Sequence, residues 1–144
     1  LRRPGALDGL APDFGPRERD PRRGAVLVAA RPPLVAFNLE LAPPATAADA
    51  RRIAALVRDG GEEGLPGVRA LGLELRGSVA QVSVNVEDHV AVPLARLLAA
   101  VWRHAEVAAA ELVGLAPRAA FDGWPDDVRV RNRRTIEDAL RGLQ

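Results

Sequence analysis

The chain has 144 residues and a formal net charge of +1, and all 20 of its basic residues are arginine. That length suits one domain that folds on its own core; with no cysteine, both a disulfide framework and a cysteine-ligated zinc site are excluded. Aromatics make up only 3%, with no stacking platform among the basic residues, so the composition argues against nucleic acid despite a pI near 9.1.

No run of about 18 apolar residues exists to cross a membrane, and no basic-then-apolar leader is visible. The expected location is therefore the cytoplasm. A start at Leu1 rather than Met is what a fragment or a single domain would show. The arginine-for-lysine bias reads as genome composition, so one arginine carries little functional information.

Residues 1–24 are rich in Pro, Gly and charge and read as an arm. Ala25 to Ala29 is a short apolar run, broken by Arg31-Pro32-Pro33. Leu34 to Leu41 is a predicted strand, with Val35, Phe37, Leu39 and Leu41 on one face and Ala36, Asn38 and Glu40 on the other.

A helix is predicted next. Thr46 is its N-cap, Asp49 stands at N3, and Ala50, Ile53, Ala54 and Val57 form the buried stripe. Gly60 and Gly61 are expected to end it.

Gly64-Leu65-Pro66-Gly67 makes a turn, followed by a strand from Val68 to Arg76. There Leu71, Leu73 and Leu75 oppose Ala70, Gly72 and Glu74, and the leucines are expected inside. A hairpin at Arg76-Gly77-Ser78 leads to Ala80–Val86, where Val82, Val84 and Val86 alternate with Gln81, Ser83 and Asn85.

A second helix is expected from Val92, with Pro93 at its first position and Leu94, Leu97, Leu98, Val101 and Ala105 inside. Ala109 to Leu115 is a last strand. Residues 118–134 read as irregular, and Thr135 with Asp138 caps a final helix to Gly142.

The order βαββαβ is the ferredoxin-like α/β (α+β) arrangement, an antiparallel sheet with two helices on one face. Residues 25–117 form that subdomain, between the arm (1–24) and an irregular tail (118–144). The uncovered face is expected to carry Ala36, Asn38, Ala70, Gly72, Gln81, Ser83 and Asn85: small and polar, open to a second sheet or a planar ligand.

The residues with possible chemistry are few. In the loop Gly15, Pro16, Arg17, Glu18, Arg19, Asp20, Pro21, Arg22, Arg23, Gly24, backbone N–H groups and guanidinium forks could hold carboxylates; the plainer reading is a linker. His89, in a turn near Glu87, could act as a general base, although it has no visible nucleophile beside it. His104 reads as a surface residue on the second helix. The two histidines lack metal-ligand spacing, so no metal is expected.

Glu62-Glu63 and Asp126-Asp127 read as solvated turns. Trp102 reads as packing at the core edge, and Trp124 as covering a loop or stacking on a heterocycle. The run Arg129, Arg131, Arg133, Arg134 could bind an anion, although a solvated basic face before the last helix is the plainer reading. No phosphate loop, G-x-S-x-G or H-E-x-x-H occurs, so the chemistry of the residues names no catalytic group.

Several segments together resemble the glutamate formimidoyltransferase family. They are Asp13-Phe14-Gly15-Pro16, Pro21-x-x-Gly24-Ala25, Ala30-Arg31, Ala36-Phe37-Asn38, Gly64-Leu65-Pro66-Gly67-Val68-x-Ala70-Leu71-Gly72, Ala80-Gln81-Val82-Ser83-x-Asn85 and Glu111-Leu112-Val113-Gly114-Leu115-x-Pro117. They fall in the family's order between residues 11 and 117. Residues 118–128 depart from it, because Phe121-Asp122-Gly123-Trp124-Pro125 interrupts the family's Ala-rich helix.

The resemblance implies the C-terminal half of an enzyme that moves a formimidoyl group from N-formimidoyl-L-glutamate to tetrahydrofolate in histidine degradation. It implies that folate is bound as a substrate, with no metal, and that Gly15–Gly24 is a folate-contacting loop. Asn38, Gln81, Ser83 and Asn85 would then face the ligand or the first half. The family's catalytic histidine belongs to the missing N-terminal half, so no catalytic residue is expected in this chain. A homodimer through the open face is also compatible. The rival reading is a non-catalytic ferredoxin-like binding or assembly module.

Overall fold

The computed structural model describes residues 11–18, 22–30 and 32–142. The chain divides into two compact units, residues 1–30 and 31–144. The described part of the first unit has no helix or strand, and Val26, Leu27 and Val28 are exposed.

The second unit holds the elements β1 (Val35–Leu41), α1 (Ala47–Val57), β2 (Val68–Leu75), β3 (Val79–Val86), α2 (Leu94–Trp102), β4 (Val107–Val113), a 3-10 turn at Arg118–Phe121, β5 (Val130–Arg131) and α3 (Ile136–Arg141). The sheet order is β2-β3-β1-β4-β5. Its first four strands are antiparallel, which is the ferredoxin-like order. β5 pairs with β4 in parallel and makes the sheet mixed. A two-residue strand is too short to leave a periodic signal, so sequence reading places it in an irregular tail.

β1 lies at the centre, and its side chains alternate strictly. Val35, Phe37 and Leu39 are fully buried, while Ala36, Asn38 and Glu40 are half-buried on the other face. α1 and α2 cover the first of these faces and touch each other. α1 begins as predicted: the Thr46 hydroxyl accepts from the Asp49 N–H at 3.3 Å, and the Asp49 carboxylate accepts from the Thr46 N–H at 2.9 Å. The Thr46 N–H first, and then the Thr46 hydroxyl, which donates to the same carboxylate at 2.7 Å, hold the Asp49 carboxyl below its usual range. The helix stops at Val57, earlier than the glycines suggest, because Arg58 turns into extended backbone. Pro93 is the N-cap of α2 rather than its first helical residue, and Ala105 lies beyond the helix end.

β2 corrects the sequence reading. Val68 and Ala70 are buried, and the side chains expected inside, Leu71, Leu73 and Leu75, are exposed on the open face. Gly72 explains the inversion. A Cβ at this position would lie 2.1 Å from the Arg51 nitrogen of α1. The helix backbone rests directly on the strand there, and only a glycine fits beneath it. Ala70 and Gly72 therefore face the helices and are not part of the open face.

A second correction concerns the tail. Trp124 and Phe121 are core residues that meet the Phe37 ring edge-on, at 5.3 Å and 6.3 Å between centroids. The Trp124 indole N–H donates to the Val128 carbonyl at 2.8 Å. Trp124 is thus no platform for a heterocycle. Trp102, by contrast, is 42% exposed.

α3 is held by its N-cap. The Asp138 N–H donates to the Thr135 hydroxyl at 3.1 Å, and the Asp138 carboxylate takes Arg118 and Arg141, each at 2.6 Å. The Thr135 hydroxyl first, and then Arg118, lower the Asp138 carboxyl from 3.8 to about 2.

Gly72→Ala should destabilise the chain by about 3 kcal/mol, since neither backbone can give way without repacking; a urea melt of the two proteins measures this. Asp138, with its pKa depressed in the folded state, supports α3 fully above 3.8 and loses that support as pH falls through about 2. Backbone carbon shifts of residues 136–141 should therefore drift toward coil values in that window, and an Asp138→Asn variant should show the same drift at neutral pH.

Candidate functional site

The open face of the sheet gathers polar side chains in register. One row crosses all five strands: Leu71 (β2), Ser83 (β3), Asn38 (β1), Glu111 (β4) and Arg131 (β5). The row on one side runs Leu73, Gln81, Glu40, Ala109, and the row on the other runs Arg69, Asn85, Ala36, Val113. Of the predicted face residues, the structure therefore brings together Asn38, Gln81, Ser83 and Asn85 along with Ala36. Gln81 is buried at 4% exposure, and Ser83 and Asn85 are half-buried.

The face has two different halves. On the β2 side stand Leu71 at 66% exposure, Leu73 at 39% and Leu75 at 37%. On the β4–β5 side lies a hydrogen-bonded network. Asn38 Nδ2 donates to Glu111 Oε2 at 3.2 Å, and Asn132 Nδ2 donates to Glu111 Oε1 at 3.2 Å. Arg131 forks onto Glu40, with Nη1 on Oε2 at 3.0 Å and Nη2 on Oε1. Its Nη2 stands 4.0 Å from Glu111 Oε2. The Glu40 carboxylate is the first cause of the raised Arg131 pKa. Asn132 takes a left-handed backbone, φ 57°, which asparagine accepts at small cost.

Sequence reading missed Glu111, Arg131 and Asn132 as site residues. Arg131 was hidden in an arginine-rich run read as a solvated face. Two of that run's four members are in fact committed, Arg131 to Glu40 and Arg133 over the Phe121 ring at 4.5 Å. The available signal was strand parity: Glu111 shares the face of Asn38 once β4 is placed.

The other candidates lie elsewhere. Gly15–Glu18 and Arg22–Gly24 are exposed in the first unit, with Gly15 and Gly24 at positive φ, while Arg19, Asp20 and Pro21 lie outside the described residues. His89 is half-buried in the turn after β3. His104 is no free surface residue: its side chain is 17% exposed, and Nε2 lies 2.9 Å from Glu63 Oε1 without hydrogen-bond alignment. Glu63 also takes Arg103 at 2.5 Å, and Arg103 first, then His104, hold its carboxyl below the usual range. That cluster ties the turn after α1 to the end of α2. A depression of about 420 Å³ at the end of α1 is lined by Arg58, Asp59, Arg69 and Glu87, whose charges cancel. No group of three or more metal-ligating side chains occurs among the described residues, and none of their helices is long and apolar enough to cross a membrane.

The Formiminotransferase domain family matches residues 36–123. The chain is 36% identical over 121 residues to formimidoyltransferase-cyclodeaminase of Gallus gallus, covering 76% of this chain and 22% of that protein. It is 35% identical over 117 residues to glutamate formimidoyltransferase of Streptococcus pyogenes serotype M1, covering 77% of this chain and 38% of that protein. With the Sus scrofa formimidoyltransferase-cyclodeaminase it shares 37% over 122 residues, 77% of this chain and 22% of that protein. The chain belongs to the formiminotransferase family. It spans well under half the length of these relatives.

The formiminotransferase match runs from β1 through the 3-10 turn, so it contains Asn38, Glu40 and Glu111 but ends before Arg131 and Asn132. The β5 members thus complete a network whose other half lies within the family region. Arg131→Ala should lower stability by only about 1 kcal/mol, because the pair is partly exposed. It should also loosen Glu40 and β5; hydrogen exchange at Ala110, whose N–H donates to the Arg129 carbonyl at 3.1 Å, reads the second effect.

Proposed function

We propose that this chain is the C-terminal, folate-binding half of a glutamate formimidoyltransferase. The complete enzyme would move the formimidoyl group of N-formimidoyl-L-glutamate to tetrahydrofolate, in histidine degradation in the cytoplasm. The observation that carries this reading is the family match over the whole βαββαβ unit, in a chain that spans 38% of a relative named glutamate formimidoyltransferase. The open face, with its leucines and its polar network, suits a surface that meets a second half and a planar ligand.

In this reading tetrahydrofolate enters as a substrate. Its N5 amine attacks the formimidoyl carbon, the bond from that carbon to the glutamate nitrogen breaks, and glutamate leaves as an amine. The N5 proton passes to a base, and the departing nitrogen gains one. A histidine of the N-terminal half supplies that transfer. This half binds and orients, with Gly15–Gly24 as the folate-contacting loop, where Arg17, Arg19, Arg22 and Arg23 meet the anionic glutamyl tail.

Exposure of Leu71, Leu73 and Leu75 also suits the rival reading, a non-catalytic module whose open face pairs with a second copy. Calorimetric titration with 5-formyltetrahydrofolate separates the two. Saturable binding by this chain, or by this chain with an N-terminal half added, should weaken when Arg17, Arg19, Arg22 and Arg23 are changed to Ser. A self-associating chain that binds no folate under either condition would sink the enzyme reading.

A further inference from the structure

Glu111 is oriented differently from the described carboxylates that pair closely with a guanidinium. Glu40, Glu63, Glu87 and Asp138 each hold a guanidinium at 3.0 Å or closer. Glu111 is held by two neutral amides, one on each oxygen, and the nearby guanidinium stands 4.0 Å off, committed to Glu40. The amides fix the direction of the carboxylate without cancelling its charge. Glu40, Glu111 and Arg131 together keep one net negative charge on this part of the face. The Glu111 side chain is 29% exposed, so its outer side is open to a ligand. Each carboxylate oxygen has two lone pairs, and each here has accepted one Asn donor, leaving one apiece for a partner with two parallel N–H groups.

We propose that Glu111 receives the amidine-type edge of a substrate, meaning an N–H and an NH2 carried on one carbon. Such an edge matches a carboxylate in the same two-point, charge-assisted way that a guanidinium does. The inference rests on the formimidoyltransferase reading, which supplies two sources of this edge: the 2-amino and N3–H side of the reduced pteridine ring, and the formimidoyl group itself. Asn38 and Asn132 are positioning residues that aim the carboxylate. The Arg131–Glu40 fork keeps the guanidinium from closing on Glu111.

The test uses the chain labelled with nitrogen-15 and follows the side-chain amide signals of Asn38 and Asn132. Three ligands are titrated separately: acetamidine, 5-formyltetrahydrofolate and N-formimidoyl-L-glutamate. Acetamidine and the substrate that carries the edge should shift both amides. Glu111→Gln, checked for unchanged backbone dispersion, should weaken that binding about tenfold or more. Glu40→Gln is the second variant. It frees Arg131 to bond Glu111, and should weaken binding by competition while leaving Glu111 in place.

Shifts with 5-formyltetrahydrofolate assign the edge to the pteridine, and shifts with N-formimidoyl-L-glutamate assign it to the formimidoyl group. Amides unmoved by all three ligands, or equal affinity in Glu111→Gln, overturn the proposal. Folate binding that survives Glu111→Gln but is lost when the loop arginines are changed, with the amides unmoved by N-formimidoyl-L-glutamate, leaves the folate-half reading standing and this inference fallen. Acetamidine shifts with none from either substrate also overturn the proposal, because the edge it assigns to Glu111 belongs to a substrate.

Discussion

Strand β1 lies between β3 and β4, and its odd-numbered side chains are sealed beneath two helices. With Phe37 fully buried and met edge-on by two further rings, truncation there would cost about 3–5 kcal/mol. A one-residue slip would move Phe37 to the open face and Asn38 into the core, which fixes the register firmly. That register in turn sets Asn38 opposite Ser83 on one side and Glu111 on the other. The polar row on the open face is therefore a consequence of apolar packing on the covered face.

The interactions within the row contribute little to folding by comparison. A partly exposed Arg–Glu fork is worth about 1 kcal/mol, and amide-to-carboxylate bonds are of similar size. What these bonds supply is direction. Asn132 in a left-handed turn, an Arg131 fork and two amide donors restrict the carboxylates to a few rotamers. Restricting them before a ligand arrives lowers the entropy that binding would otherwise lose.

The same packing determines what the sequence could disclose. β1 and β3 alternate large apolar with polar residues, so their faces are legible from period two alone. The Thr46 and Thr135 caps are legible because their chemistry is local. β2 misleads, since three leucines on one parity outweigh Val68, Ala70 and Gly72 on the other by any hydrophobic count. What decides the matter is non-local: α1 lies so close that its backbone would overlap a Cβ at Gly72. The open face was thus legible for Asn38, Gln81, Ser83 and Asn85, and misread where Gly72 stood in for Leu71. β5 and its Arg131 escaped for a different reason. Two residues carry no period, and a chain with arginine in place of every lysine removes the contrast that would single one out.

Leucines on the open side of β2 divide that face by chemistry. Apolar side chains exposed in a contiguous band lose most from water and gain most from a partner surface. Oriented carboxylates gain most from a ligand with matched donors, and lose if an apolar partner strips their water without replacing it. A second half covering the entire face would strand Glu111. A partner seated on the leucines alone leaves the network at the rim, partly dry and open to a small molecule. Lower local dielectric at such a rim strengthens every bond Glu111 makes, so docking on the leucines would raise the affinity of the polar half without touching it. On the half-enzyme reading, the divided face explains how one sheet can serve both as an interface and as a wall of the substrate site.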